Sequence, residues 1–123
     1  MPQYDLEAFQ KLVGEGEWAY LNERRPFRTK DKLGWNDEDV AEMLCGLSAK
    51  DFQKTVPNCK VTCFPTCDLV DADQYEIHWD DSEKVRKSMP TLGTISLSLK
   101  IALASDVDGA FAGLVTLHTS PDL

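Results

Sequence analysis

Thr94-Ile95-Ser96-Leu97-Ser98-Leu99-Lys100-Ile101-Ala102-Leu103 alternates apolar side chains with small or polar ones. A strand sends successive side chains to opposite faces, so Ile95, Leu97, Leu99, Ile101 and Leu103 share one face while Ser96, Ser98 and Lys100 share the other. The period of two marks the second half of the chain as β structure with one buried side. Downstream, Asp106-Val107-Asp108-Gly109 is a turn signal, sharpest at Asp108-Gly109, and Phe111 to Thr119 returns as the antiparallel partner. Upstream, Tyr75-Glu76-Ile77-His78-Trp79 alternates in the same way. An acidic turn and a basic segment (Lys84, Arg86, Lys87) then lead through Pro90 and Gly93 to the decisive strand.

The first half has the helical period instead. Asp5 caps a helix whose apolar positions Leu6, Phe9, Leu12 and Val13 fall on one side, and Gly14 and Gly16 end it. Asn36 is a strong N-cap followed by three acids where the helix dipole is positive, and Val40, Met43, Leu44 and Leu47 form an i, i+3, i+4, i+7 stripe. Ser48-Ala49-Lys50-Asp51 reads as a second capping sequence, opening a short helix that carries Phe52 and Val56 and stops at Pro57. Trp18 to Leu21 and Phe27 to Thr29 read as extended segments. Helices first and strands later is an α+β order: one domain over residues 1–123, with N-terminal helices packed on a C-terminal antiparallel sheet.

The chain has 123 residues and a formal net charge of −8. No run approaches the ~18 apolar residues that a membrane span needs, and the N-terminus lacks a basic-then-apolar leader, so we expect a cytoplasmic protein with no membrane partner. In that reducing compartment the four cysteines are expected as thiols or metal ligands. The acidic balance opposes nonspecific nucleic-acid binding, which rests on phosphate contacts. It suits a basic protein partner and leaves room for a small basic patch.

Several strings resemble one family, the MqsR toxins, ribonucleases of bacterial toxin–antitoxin pairs related to the RelE type. They are Phe9-Gln10-Lys11-Leu12-Val13, the turn Leu33-Gly34-Trp35, the run from Val40 to Val56 with its Asp51-Phe52-Gln53-Lys54 step, Ser98-Leu99-Lys100-Ile101 and Leu114 to His118. The run from Val40 to Val56 looks like that family's second and third helices. The resemblance implies an MqsR/RelE-like α+β fold, metal-independent cleavage of messenger RNA without a cofactor, no direct DNA contact, and neutralisation by a cognate antitoxin. It places Lys54 at a functional lysine of the third helix. It departs from the family at Ser98, where a tyrosine is usual, at His118, where a lysine is usual, and at Asp80, which replaces an amide. An insertion between Lys54 and Trp79 carries Cys59, Cys63 and Cys67, and the chain is acidic where such toxins are basic.

Metal-free RNA cleavage needs a base for the 2′-hydroxyl, a cation at the phosphorane and an acid for the departing 5′-oxygen. Histidine, with an unperturbed pKa of about 6.5, suits proton transfer. Lys54 and His118 are therefore the leading catalytic candidates, with Lys100, Arg86 or His78 as helpers. Each has a plain rival: Lys54 and Lys100 as solvated charges, His118 as a surface histidine, His78 as a side chain projecting from the outer strand face. Arg24, Arg25, Arg28, Lys30 and Lys32, interleaved with Phe27, form the best phosphate-binding patch, or else a solvated loop. Cys59, Cys63 and Cys67 recur every four residues and, with Asp68 or His78, make a zinc site or remain reduced thiols; Cys45 reads as a small buried residue. Three functions stay in play: an endoribonuclease toxin, a catalytically degenerate acidic binding module on the same fold, and a small zinc protein.

Overall fold

A computed structural model describes residues 2–22, 24–62, 69–106 and 109–119. Helix α1 spans Leu6–Gly14, strand β1 Trp18–Tyr20, helix α2 Arg24–Leu33 and helix α3 Asp37–Cys45. A single 3-10 turn, Ala49–Asp51, then opens β2 (Phe52–Lys60), followed by β3 (Leu69–Asp80), β4 (Val85–Lys87), β5 (Thr94–Asp106) and β6 (Gly109–Thr119). Among the described residues this is a mixed α+β fold of three N-terminal helices and one six-stranded sheet. The strand order is β1-β6-β5-β3-β2, with β4 also on β3. All pairings are antiparallel except β1 with β6, which is parallel. None of the described helices is long and apolar enough to cross a membrane.

The strong local signals hold. Asp5 accepts from the Glu7 N–H at 3.0 Å, and Asn36 and Asp39 close a reciprocal capping box on α3. Val40, Met43, Leu44 and Leu47 are all buried, packed with Phe9 and Val13 of α1 over Tyr75, Ile77, Trp79, Leu97, Leu99, Ile101, Leu114 and Leu117 of the sheet. Gln10 ties the two helices together by donating to the carbonyls of Leu44, Cys45 and Leu47 at the exposed end of α3. Gly46 follows, and a β-carbon there would lie 2.6 Å from the Trp79 ring, so glycine is what lets α3 end directly on the indole. Asp106 pairs with Gly109 as the hairpin requires; Val107 and Asp108 lie outside the described residues.

Three expectations fail. Phe27 to Thr29 is helical, inside α2. Pro26 sits in the first turn, where a missing N–H costs nothing, and Pro26, Thr29 and Leu33 share an inward stripe. Gly34, at φ +71°, ends α2 with Trp35 N–H donating to the Lys30 carbonyl and Gly34 N–H to that of Asp31. The Ser48 capping box does form, but it closes one 3-10 turn and Phe52 to Val56 is strand. A three-residue nucleus is too costly to propagate alone, whereas the open edge of β3 offers backbone partners and Phe52 packs edge-on against Tyr75 at 5.7 Å. Lys54 is thus on a strand rather than on a third helix. Finally, Cys45 is exposed, its Sγ turned to the Gln10 carbonyl at 3.8 Å.

A second, smaller apolar cluster lies on the other side of the sheet at one end. Leu21, Val61, Ala72, Ala102 and Val115 form it, and Asn22 bridges the carbonyls of Lys60 and Val115 while Thr62 N–H donates to Leu21. The sheet therefore curls until the end of β2 meets the exit of β1. The rest of that second face carries polar side chains.

Candidate functional site

Directly opposed residues of antiparallel strands share a face, so the pairing register lays out the second face in rows. Lys54 on β2 opposes Gln74 on β3, Gln74 opposes Lys100 on β5, and Lys100 opposes Thr116 on β6. The next row is Glu76, Ser98 and His118; the one after is Lys87, His78 and Ser96. Lys54, Lys100 and His118, far apart in the chain, thus meet on one surface. The chain's only two histidines are both there.

Two bulges make this arrangement. In unbroken register with Phe52 opposite Tyr75, Lys54 would oppose Asp73 and point to the helix-covered side. The register shift between Phe52 and Lys54 re-aims it to the open side. A second shift, after Lys100, gives β6 one extra residue, so that Leu114 and Leu117 both face the main core while Val115 and Thr116 face outward. Bulges gather where a side chain must be redirected, often beside active sites. The row from Lys54 to Thr116 is bounded by both.

Within the face, His78 Nδ1 lies 3.0 Å from Ser96 Oγ, and Gln74 Nε2 donates to Glu76 Oε1 at 3.2 Å. Among the described residues Thr116 Oγ1 is buried without a hydrogen-bond partner, as are Tyr75 Oη and Trp79 Nε1 on the opposite face. Burial pushes the Cys59 thiol up, the Lys100 ammonium draws it back, and the Asp71 carboxylate adds a further upward push. These rows carry Lys54, Lys100 and both histidines against Glu76, with Lys87 held in an ion pair to Glu83 at 3.1 Å, in a chain whose formal charge is −8.

The other candidates fall elsewhere. Arg86 opposes Trp79, which puts it on the helix-covered side, and its guanidinium grips the buried Asp51 carboxylate at 2.6 and 2.9 Å. Arg24, Arg25 and Arg28 lie on α2, along the part of β6 that extends past its pairing with β1, where Thr29 Oγ1 donates to the Leu117 carbonyl at 2.6 Å. The side chains of Arg24 and Arg25 are outside the described residues; that of Arg28 is exposed. Arg28 and Lys32 share a stripe of α2 one turn apart, and Lys32 Nζ reaches Thr119 Oγ1 at 3.4 Å, so this stripe flanks the end of β6 that carries His118. Lys30 turns the other way, to Asp37 at 2.9 Å and over the rings of Phe27 and Tyr20.

Cys63, Cys67 and Asp68 lie outside the described residues. Cys59 is half-buried in the second cluster, and among the described residues no group of three histidine, cysteine or acidic side chains could hold a metal. A cleft of about 610 Å³ opens on the helix side between the N-terminal segment, Gln10, Leu47 and Tyr75. Asp5 and Glu7 on its rim repel phosphate, and burial, reinforced by Asp73, pushes the Tyr75 hydroxyl up to about 12, so it stays protonated at neutral pH. The open sheet face, not this cleft, has the groups that RNA chemistry requires.

Gln74, Glu76 and Thr116 were missed in the sequence. The alternation from Tyr75 to Trp79 already placed Glu76 on the side of His78, but nothing local marks Gln74, Thr116 or the bulge that turns Lys54. No family model matches the chain, and no curated protein matches it significantly in sequence.

Proposed function

We propose that this chain is a toxin of the MqsR/RelE-like kind, a metal-independent endoribonuclease that cuts single-stranded messenger RNA on the open face of its sheet and is neutralised by a cognate antitoxin. The observation that carries the reading is the row Lys54–Gln74–Lys100–Thr116 with His118 beside it. Residues chosen as candidates from separate parts of the sequence are brought by two bulges to one face. In this reading Lys54 and Lys100 stabilise the negative charge that builds on the phosphorane, and His118 protonates the leaving 5′-oxygen. The exposed Arg28 and Lys32 hold the flanking phosphates of the strand. The site is in the cytoplasm, where messenger RNA is.

Purified protein incubated with an unstructured messenger RNA in EDTA should give discrete cuts. His118→Ala should slow them by about 100-fold or more, as loss of a proton-transfer group does, and Lys54→Ala should act in the same direction. Intact RNA at high concentrations of folded protein would overturn the reading. One feature favours a second reading, an acidic binding module without catalysis: serine stands at position 98, where the resembled family has a tyrosine, in a chain of charge −8. Tight binding of a basic protein without RNA cleavage would select it.

A further inference from the structure

We infer that His78 is the base of this face, working opposite His118, with Ser96 as the residue that positions its ring; the inference rests on the RNA-cleaving reading above. The chain has two histidines, and they lie on strands β3 and β6 of the same open surface, one row apart with β5 between them. Sheet spacing puts their backbones about 12 Å apart, which leaves room for one phosphodiester between the rings. Ser98 fills the space between, and Lys100 sits diagonally next to His118.

Ser96 holds the orientation of the His78 ring. His78 Nδ1 lies 3.0 Å from Ser96 Oγ, a hydroxyl that donates or accepts and so serves either tautomer; in the one the inference uses, Nδ1–H donates to Ser96 and Nε2 carries the free lone pair. The 2′-hydroxyl of the substrate gives its proton to His78 Nε2 as its oxygen attacks phosphorus. The new O2′–P bond closes a 2′,3′-cyclic phosphate, the P–O5′ bond breaks, and the 5′-oxygen takes a proton from the His118 imidazolium. No oxidant, metal or co-reactant enters. The charged groups that face His78 are Glu76 and Asp80 on its own strand and Lys87 on β4, which is itself paired with Glu83 at 3.1 Å. Those around His118 are Glu76 across Ser98, Lys100 on β5, and Arg28 and Lys32 from α2 at the strand edge.

A base that must be neutral and an acid that must be protonated give a bell-shaped pH profile of kcat/KM. His78→Ala should lower the rate about 100-fold and abolish the acid-side limb, and added imidazole should restore turnover. His78→Gln, which keeps a hydrogen bond to Ser96, should be as slow while melting like wild type. Ser96→Ala should shift the acid-side limb with a smaller loss of rate, and Ser96→Thr should recover it. If His78→Ala and His78→Gln cut at the wild-type rate with the full bell while His118→Ala is inert, His78 is not the base and the cleavage reading stands. If the folded wild type leaves RNA intact, the cleavage reading fails and takes this inference with it.

Discussion

The two faces of one sheet have been put to different uses. On the helix-covered face, Tyr75, Ile77, Trp79, Leu97 and Leu99 are buried with α1 and α3, and the buried carboxylates that intrude there are engaged, while the Tyr75 hydroxyl and Trp79 Nε1 find no hydrogen-bond partner among the described residues. Asp51 is gripped by Arg86 and accepts from the Ser48 N–H, and Asp73 accepts from the Gln3 and Tyr4 N–H groups and the Thr55 hydroxyl. On the open face, Lys54, Lys100 and both histidines lie on strands that the same core holds rigid. The covered face therefore carries the stability and the open face is free to carry chemistry, so substitutions on the two should separate folding from activity.

The largest effect should come from Asp51→Ala, which strands Arg86 and frees the Ser48 N–H. It should cost about 2 to 3 kcal/mol, below the range for a fully buried pair because the Arg86 side chain keeps 27% of its exposure. Urea unfolding reads this as a lower midpoint at unchanged slope.

A smaller effect comes from Asp37, whose carboxyl is held below the usual carboxylate range first by the Lys30 hydrogen bond and then by the Tyr20 hydroxyl. As the pH falls the unfolded chain takes up this proton before the folded one does. Asp37 therefore adds stability above its unfolded value, about pH 4, and loses it as the pH drops through the folded value. Asp37→Asn should lower stability at pH 7 by about 0.5 kcal/mol, because the carboxylate is 63% exposed, and the gap from wild type should close as the pH falls below the folded value. Melting temperatures of both proteins across that range check it.

The smallest stability change should come from Lys100→Ala, within about 0.5 kcal/mol, together with a loss of RNA cleavage of roughly tenfold or more. A large loss of stability in this variant would erase the division between the faces.

The sequence made legible what local physics decides. The alternation from Thr94 to Leu103 and the stripe from Val40 to Leu47 each needed only their own period, and Asn36 needed only its own cap. Phe27 to Thr29 and Phe52 to Val56 were misread because their state is set by distant partners: the edge of β6 for the first, the edge of β3 for the second. The same limit applies to the site. Parity alone put Lys100 opposite Leu99 and away from the core. That Lys54 joins it depends on a one-residue bulge, and that His118 lies one row away depends on pairing across 20 residues of hairpin.

The most direct test of the open face is amide chemical-shift mapping with a single-stranded oligonucleotide made uncleavable by 2′-O-methylation. The shifts should gather at Lys54, Gln74, Ser98, Lys100, Thr116 and His118 and run on to α2, leaving α1 and α3 still. Shifts confined to α1, α3 or the cleft beside Tyr75, or no shifts at saturating oligonucleotide, would contradict the account.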